Sequence, residues 1–211
     1  MNGLANTTFP RPDGKPSGGY QKCAGDGRPG VIVIQEWWGL NRQICSIVDR
    51  YADAGFNALA PDLYRGRLAA DADEASHLMS ALDFADATHQ DLAGAIAHLA
   101  RQSGKIGVTG YCMGGALTVA AAVHLPGVAA ASCYYGLPPV AFADPARIAI
   151  PFQGHFANRD DWCTPALVDG LEAAMKAAGR TPEIFRYDAA HAFCNAMRPE
   201  VHDPAAAAQA W

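Results

Sequence analysis

The run Lys105-Ile106-Gly107-Val108-Thr109-Gly110-Tyr111-Cys112-Met113-Gly114-Gly115 constrains this chain more than any other stretch. Ile106 to Thr109 is short and β-rich, Gly110-Tyr111-Cys112-Met113-Gly114 follows, and Ala116 to His124 has the pattern of a helix. A strand that turns sharply into a helix leaves the residue at the tip exposed, and flanking glycines keep the crowded turn clear of side chains. Cys112 is that residue. Its place at a helix N-terminus matters, because the positive end of the helix dipole stabilises negative charge there. The competing reading is a cysteine packed as a small hydrophobe, the common fate of a free thiol. The residues elsewhere in the chain decide between them.

Strands and helices alternate on both sides of this stretch. Val31-Ile32-Val33-Ile34 is a continuous β-branched run, as expected of a strand buried on both faces. It ends in Gln35-Glu36-Trp37-Trp38-Gly39, at the edge of a parallel sheet where ligands bind. A helix follows, with Ile44, Ile47, Val48 and Tyr51 at helical spacing and Gly55 near its end. Phe56 to Ala60 reads as a strand, and Asp71 to about Arg101 is helical in pattern. Val128 to Tyr134 and Ile148 to Gln153 are two further strands. Thr164-Pro165 starts a helix that carries Leu167, Leu171 and Met175 and ends at Gly179. Glu183 to Tyr187 is a strand that leaves through a loop to His191. Residues 1–30, rich in Gly and Pro, read as loop or edge strands, and Pro204 to Trp211 as an Ala-rich helix of about two turns.

This alternation predicts an α/β fold with a mainly parallel sheet covered by helices on both faces. With 211 residues and no repeat or linker, one domain is expected. Half of the residues are apolar and the net charge is −5, with Lys and Arg scattered, so no nucleic-acid partner is expected. Met1 to Thr8 lacks the basic and apolar blocks of a secretion signal, and no apolar run reaches the length of a membrane span; a cytoplasmic protein is the expectation. In that compartment the six cysteines should be reduced. Cys163 and Cys194 fit no common zinc spacing, so no metal is expected. The sequence is compatible with a monomer and sets no oligomeric state.

A thiol nucleophile needs a base to take its proton and an acid to orient that base. Downstream of Cys112 come Asp160 and Asp161, after one predicted strand, and then His191, after another. Nucleophile, acid, histidine is the chain order of the α/β-hydrolase fold, and all three positions lie at the carboxyl ends of strands. An oxyanion hole should then use the backbone N–H of Met113, next to the nucleophile, and that of Trp37 at the end of the first long strand. Glu36 has two readings, a solvated loop carboxylate or a pocket residue that accepts the thiol proton in the resting enzyme.

Ile34-Gln35-Glu36-Trp37-Trp38-Gly39-Leu40, Gly110-Tyr111-Cys112-Met113-Gly114-Gly115 and His191-Ala192-Phe193 resemble the signature stretches of the dienelactone hydrolase family. The similarity runs from about Thr8 to the C-terminus. It implies an α/β-hydrolase fold without a cofactor, Cys112 as nucleophile and His191 as base. The acid position falls on Asp160, because Asp160-Asp161-Trp162-Cys163 resembles the family's run, with Asp161 as the alternative. Glu36 matches a glutamate that contacts the resting thiol, and Trp37 and Met113 match the oxyanion donors. Trp38 and Asn195 fall at substrate-binding positions.

The chain departs from the pattern at two places. Asn195 stands where family members that act on dienelactone carry a carboxylate-binding arginine, and no arginine occurs in the Asp71 segment before Arg101. The last helix is also shorter than in similar proteins. The expected activity is hydrolysis of activated esters or lactones through a thioester, with small molecules as the only partners. The competing classes are a thiol redox sensor, pairing Cys112 with Cys163 or Cys194, and a hydrolase-fold binding protein with little turnover.

Overall fold

The structure, a computed structural model, describes residues 3–211; Met1 and Asn2, part of the N-terminal segment read for a secretion signal, lie outside it. Eight strands among the described residues form one sheet. In chain order they are β1 (Thr7–Pro10), β2 (Pro16–Lys22), β3 (Gly30–Ile34), β4 (Asn57–Pro61), β5 (Ile106–Tyr111), β6 (Val128–Tyr134), β7 (Phe152–Arg159) and β8 (Glu183–Ala190). Their spatial order is β1-β2-β4-β3-β5-β6-β7-β8. The first two strands pair antiparallel, and every pair from β4 to β8 is parallel. Parallel pairing needs crossovers, and the helices that supply them cover both faces.

The β-branched run in β3 shows how the two faces are built. Successive side chains of a strand point to opposite sides. Ile32 and Ile34 therefore pack with Val108, Leu117 and Phe156 on one face. Val31 and Val33 pack with Ile44, Val48, Tyr111, Tyr134 and Tyr187 on the other. Helix α1 (Arg42–Asp53) lies on that second face, capped by Asn41, whose side chain accepts the Ile44 N–H. The short C-terminal helix, Pro204–Ala210, joins it there through Ala206 and Ala210.

Four expected elements differ in extent; one is the strand expected at Glu183 to Tyr187, which continues to Ala190 and leaves only His191 at the start of the loop. The helical pattern from Asp71 to Arg101 is interrupted. Helix α2 (Ala72–Ala81) stops because Leu82 is extended, with ψ at 121°, and Asp83 then caps a new start by accepting the Ala85 and Asp86 N–H groups. That start is α3 (Phe84–Asp86), continued by a π-helical stretch (Ala87–Leu92) and α4 (Ala93–Leu99). Within the π-helical stretch, Asp91 is fully buried, accepting from Ser17 Oγ at 2.9 Å and from Arg65 at 2.8 Å. This network pins the sheet's antiparallel edge to the helix layer.

The strand expected at Ile148 to Gln153 begins at Phe152 and runs on to Arg159. A 3-10 turn (Pro145–Arg147) precedes it, and Ile148 is buried in the core from a turn, not from a strand. Apolar β-branched composition reports burial; here the prolines at 145 and 151 delimit the element. The fourth difference is in α5 (Met113–His124), which starts directly after Cys112, so Gly114 and Gly115 belong to its first turn.

Close packing explains those glycines. A Cβ on Gly114 would overlap the carbonyl oxygen of Ile34, one on Gly115 that of Tyr134, and one on Gly110 that of Gly114. The loop glycine Gly136 would overlap the carbonyl oxygen of Cys112 itself. The start of α5 is thus wedged between the ends of β3 and β6. Helix α6 (Pro165–Ala177), capped by Thr164, packs on the same face of the sheet as α5 through Val168, Leu171 and Met175. A groove of about 780 Å³ opens at the opposite, amino-terminal ends of the strands, lined by Gly30, Lys105, Ala130, Pro151 and Glu183. No helix among the described residues is long and apolar enough to cross a membrane.

The wedge yields a paired expectation. Gly136→Ala should destabilise the protein by about 1–3 kcal/mol, the usual cost of overpacking against a rigid neighbour. Gly170→Ala, in exposed α6 with nothing near the added methyl, should stabilise it by about 0.5–1 kcal/mol through helix propensity. Urea denaturation of the two variants checks both signs.

Candidate active site

Cys112 is the tip of the β5–α5 turn, with φ at 55° and ψ at −117°, a backbone that L residues rarely adopt. Three backbone bonds hold it. The Cys112 N–H donates to Tyr134 O at 3.1 Å, and the Cys112 carbonyl accepts from Gly115 N at 2.8 Å and Ala116 N at 3.2 Å. The side chain is half-buried at the carboxyl edge of the sheet.

Strands β7 and β8 bring two more side chains to the same edge. His191 follows β8, and its Nε2 lies 3.2 Å from Cys112 Sγ. Its Nδ1 lies 2.7 Å from Asp160 Oδ2, on the loop after β7. Asp160 is 4% exposed, and its second oxygen accepts the Trp162 and Cys163 N–H groups, both at 2.8 Å. Asp161 is exposed and makes no contact with the histidine. The carboxylate on His191 is Asp160.

The electrostatics follow from these contacts. Burial pushes the Asp160 carboxyl up, but the hydrogen bond from His191, the charge of that ring and the two loop N–H groups outweigh it, so the group lies below its ordinary value. Burial pulls His191 down, yet Asp160 on one nitrogen and Cys112 on the other raise it to about 10. A histidine held between two acceptors in this way is stabilised as the imidazolium.

Glu36 lies at the end of β3 and is 2% exposed. Its Oε1 accepts from Tyr135 Oη at 3.2 Å and its Oε2 from Asn195 Nδ2 at 2.5 Å. The carboxylate is therefore not a solvated loop residue. Burial raises it, and the neutral donors Asn195 and Tyr135 oppose that shift. In this state its hydrogen bonds go to Asn195 and Tyr135, while the Cys112 thiol sits on His191. Asn195 is itself 1% exposed and accepts the Met197 N–H at 3.0 Å, so it sits behind Glu36 and is not displayed to a ligand.

Tyr135 is the site residue that sequence reasoning missed. It has a φ of 35°, its ring stands 5.3 Å from that of His191, and it is almost completely buried. The signal was its position directly after a buried strand, β6, whose neighbour β5 ends at the cysteine.

The backbone N–H of Met113 opens α5, where no helical carbonyl stands four residues back to receive it. Trp37 lies in the turn closed by the Gly39 N–H on Glu36 O, and its own N–H has no protein acceptor among the described residues. Because the first turn of α5 packs against the Ile34 and Gln35 carbonyls, these two N–H groups belong to neighbouring backbone. Trp38 is half-buried, edge-on to Trp37 at 5.4 Å and beneath the Arg198 guanidinium at 5.2 Å.

All six cysteines are free. Cys163 and Cys194 are both pushed well above the ordinary thiol range, chiefly by burial. Among the described residues no group of three His, Cys, Asp or Glu side chains is placed to hold a metal ion.

A parallel sheet with helices on both faces and a sharp β5–α5 turn at its carboxyl edge is the α/β-hydrolase fold. Within that class, the model of the family described as "Dienelactone hydrolase family" matches residues 20–211, and the chain belongs to this family. It is 35% identical over 204 residues to "Protein usf" of Aquifex pyrophilus, spanning 92% of this chain and 88% of that protein. It is 31% identical over 194 residues to a protein of Aquifex aeolicus (strain VF5) named "Putative carboxymethylenebutenolidase", spanning 87% and 84%. The crystal structure of a "Putative Dienelactone Hydrolase" from Klebsiella pneumoniae subsp. pneumoniae MGH 78578 matches with a TM-score of 0.83 at 26% identity, over 94% of this chain and 90% of that one. The chain is thus an ester or lactone hydrolase of the carboxylic ester class.

Asp160→Asn tests the electrostatic account. Without the carboxylate, burial is opposed only by Cys112, and the His191 titration should fall from about 10 toward or below the ordinary histidine value near 6.5. A group raised on folding stabilises fully below its unfolded value and loses that contribution as pH rises through the folded one. Wild-type stability should therefore decline between about pH 6.5 and about 10, and the variant should lose less over that interval. Histidine NMR titration and urea denaturation across this range measure both effects.

Proposed function

We propose that this protein hydrolyses neutral activated esters or lactones through a thioester on Cys112, with His191 as base and Asp160 as the acid that orients it. The observation that carries the reading is the continuous line of contacts from Asp160 through His191 to the Cys112 sulfur, 2.7 Å and then 3.2 Å. No step calls on a cofactor.

With the Sγ proton on His191 Nε2, Asp160 at Nδ1 stabilises the imidazolium. The sulfur attacks the substrate carbonyl carbon, and its electron pair moves onto the oxygen. The N–H groups of Trp37 and Met113 receive that oxyanion. When the intermediate collapses, the carbon–oxygen bond to the leaving alkoxide breaks, and the alkoxide takes the proton from Nε2. A thioester remains. Water then gives a proton to His191 and attacks the thioester carbonyl; the thiolate leaves, recovers the proton, and the acid product departs.

The neutral substrate class rests on Asn195 and Glu36. A pocket that reads a carboxylate uses charge-assisted hydrogen bonds from a cation. Here the position four residues after His191 is a buried amide committed to Glu36, and that glutamate adds negative charge. A substrate carboxylate would lose its hydration with little in return. Release of Glu36 from Asn195 would bring a buried carboxylate toward the resting sulfur.

Replacing the nucleophile is the decisive test. Cys112→Ala should lower kcat/KM for a p-nitrophenyl ester by roughly 10³-fold or more while leaving the fold intact. Asp160→Asn should lower kcat far more than Asp161→Asn. Survival of activity within about threefold in Cys112→Ala would make the cysteine structural, and the opposite ranking of the aspartates would move the acid to Asp161.

A further inference from the structure

Trp162 is the outstanding exposed aromatic beside the site. It is 67% exposed, whereas its neighbours Asp160 and Cys163 are 4% and 3% exposed. Its backbone is fixed, because the Trp162 N–H and the Cys163 N–H both donate to Asp160 Oδ1. Its ring is fixed at one side as well, edge-on to Trp37 with centroids 5.9 Å apart at 64°. Trp37 in turn meets Trp38 edge-on at 5.4 Å and 71°.

This contact joins the loop that carries Asp160 to the loop that follows β3. The two loops flank Cys112 from opposite sides, since β3 and β7 lie on either side of β5 in the sheet. The three indoles thus form a ridge across the mouth of the site. An indole locked at backbone and edge, with most of its surface in water, has an apolar face ready to be covered at little ordering cost. Arg198, above Trp38, is paired with Glu200 at 2.7 Å.

We propose that Trp162, with Trp37 and Trp38, binds the aromatic or extended apolar group of a neutral ester, and that Trp162 is a specificity-determining residue. This rests on the hydrolase reading above and names the substrate class within it. Trp162 is not a catalytic residue; it stacks on a part of the substrate remote from the carbonyl, where binding energy discriminates between substrates without changing the chemistry.

The test uses the full-length protein with a 2-naphthyl ester and a methyl ester of the same short acid. Trp162→Ala should lower kcat/KM for the naphthyl ester by roughly tenfold, mostly through KM, and leave the methyl ester within about twofold. Trp162→Phe should restore most of the loss. The His191 titration should be unchanged in both variants, because the backbone N–H on Asp160 is retained. A separate binding measurement needs no turnover. 2-Naphthol should quench tryptophan fluorescence saturably in wild type and in Cys112→Ala, and bind more weakly in Trp162→Ala. Equal loss for both esters, with a shifted His191 titration, would make Trp162 a structural element of the acid loop and overturn the proposal. So would an unchanged ester ratio or naphthol binding indifferent to Trp162. Wild-type protein inactive on both esters would refute the hydrolase reading instead, and naphthol binding would still decide the role of the indole.

Discussion

Everything at this site depends on one backbone conformation, that of Cys112. A cysteine with φ at 55° and ψ at −117° stores strain of about 1–3 kcal/mol. It persists because its surroundings leave no alternative. Its carbonyl faces Gly136 so closely that a methyl group there would overlap it, and the first turn of α5 presses on the Ile34 and Tyr134 carbonyls through Gly114 and Gly115. The hydrophobic cores on the two faces of the sheet hold β3, β5 and β6 in register. Packing free energy from the whole sheet thus maintains one residue at positive φ whose sulfur meets His191.

The parallel sheet delivers the other groups to that sulfur. Every strand from β3 to β8 runs the same way as β5, so each ends at the same edge. The length of β7 matters here. Because it continues to Arg159, Asp160 stands at the edge, beside β8 and its His191 loop. The histidine loop is fixed from outside by α1, where Gln43 Nε2 donates to Cys194 O at 3.0 Å, and by His202 on Phe193 O at 2.9 Å. The ring is therefore placed before any substrate arrives.

Much of this was legible in the sequence, and the reasons are physical. Continuous β-branched runs announced β3, while the glycine pattern around Cys112 announced a turn too crowded for side chains. Chain order and strand ends marked out Cys112, His191 and the Asp160–Asp161 pair. The extent of β7 was not legible, since Ile148 is buried from a turn and strand composition reports only burial. Nor was the break at Leu82–Asp83, where one capping aspartate competes with a helical spacing that continues through it. Tyr135 was missed because its role comes from a pairing 99 residues away in sequence, with Glu36; its place directly after β6 was the one local sign. The destination of Asn195 was equally hidden. Spacing placed it near substrate; only the fold shows that Glu36 occupies its amide.

The central claim is that the Cys112 sulfur carries the acyl group during turnover. Acid quenching of the protein with excess activated ester, followed by intact-mass and peptide mapping, addresses it directly. The account predicts a single added acyl group, located on the peptide that contains Cys112, absent in Cys112→Ala and lost at the rate of turnover. An acyl group on another residue, or steady hydrolysis with no adduct at any quench time and no dependence on Cys112, would contradict it.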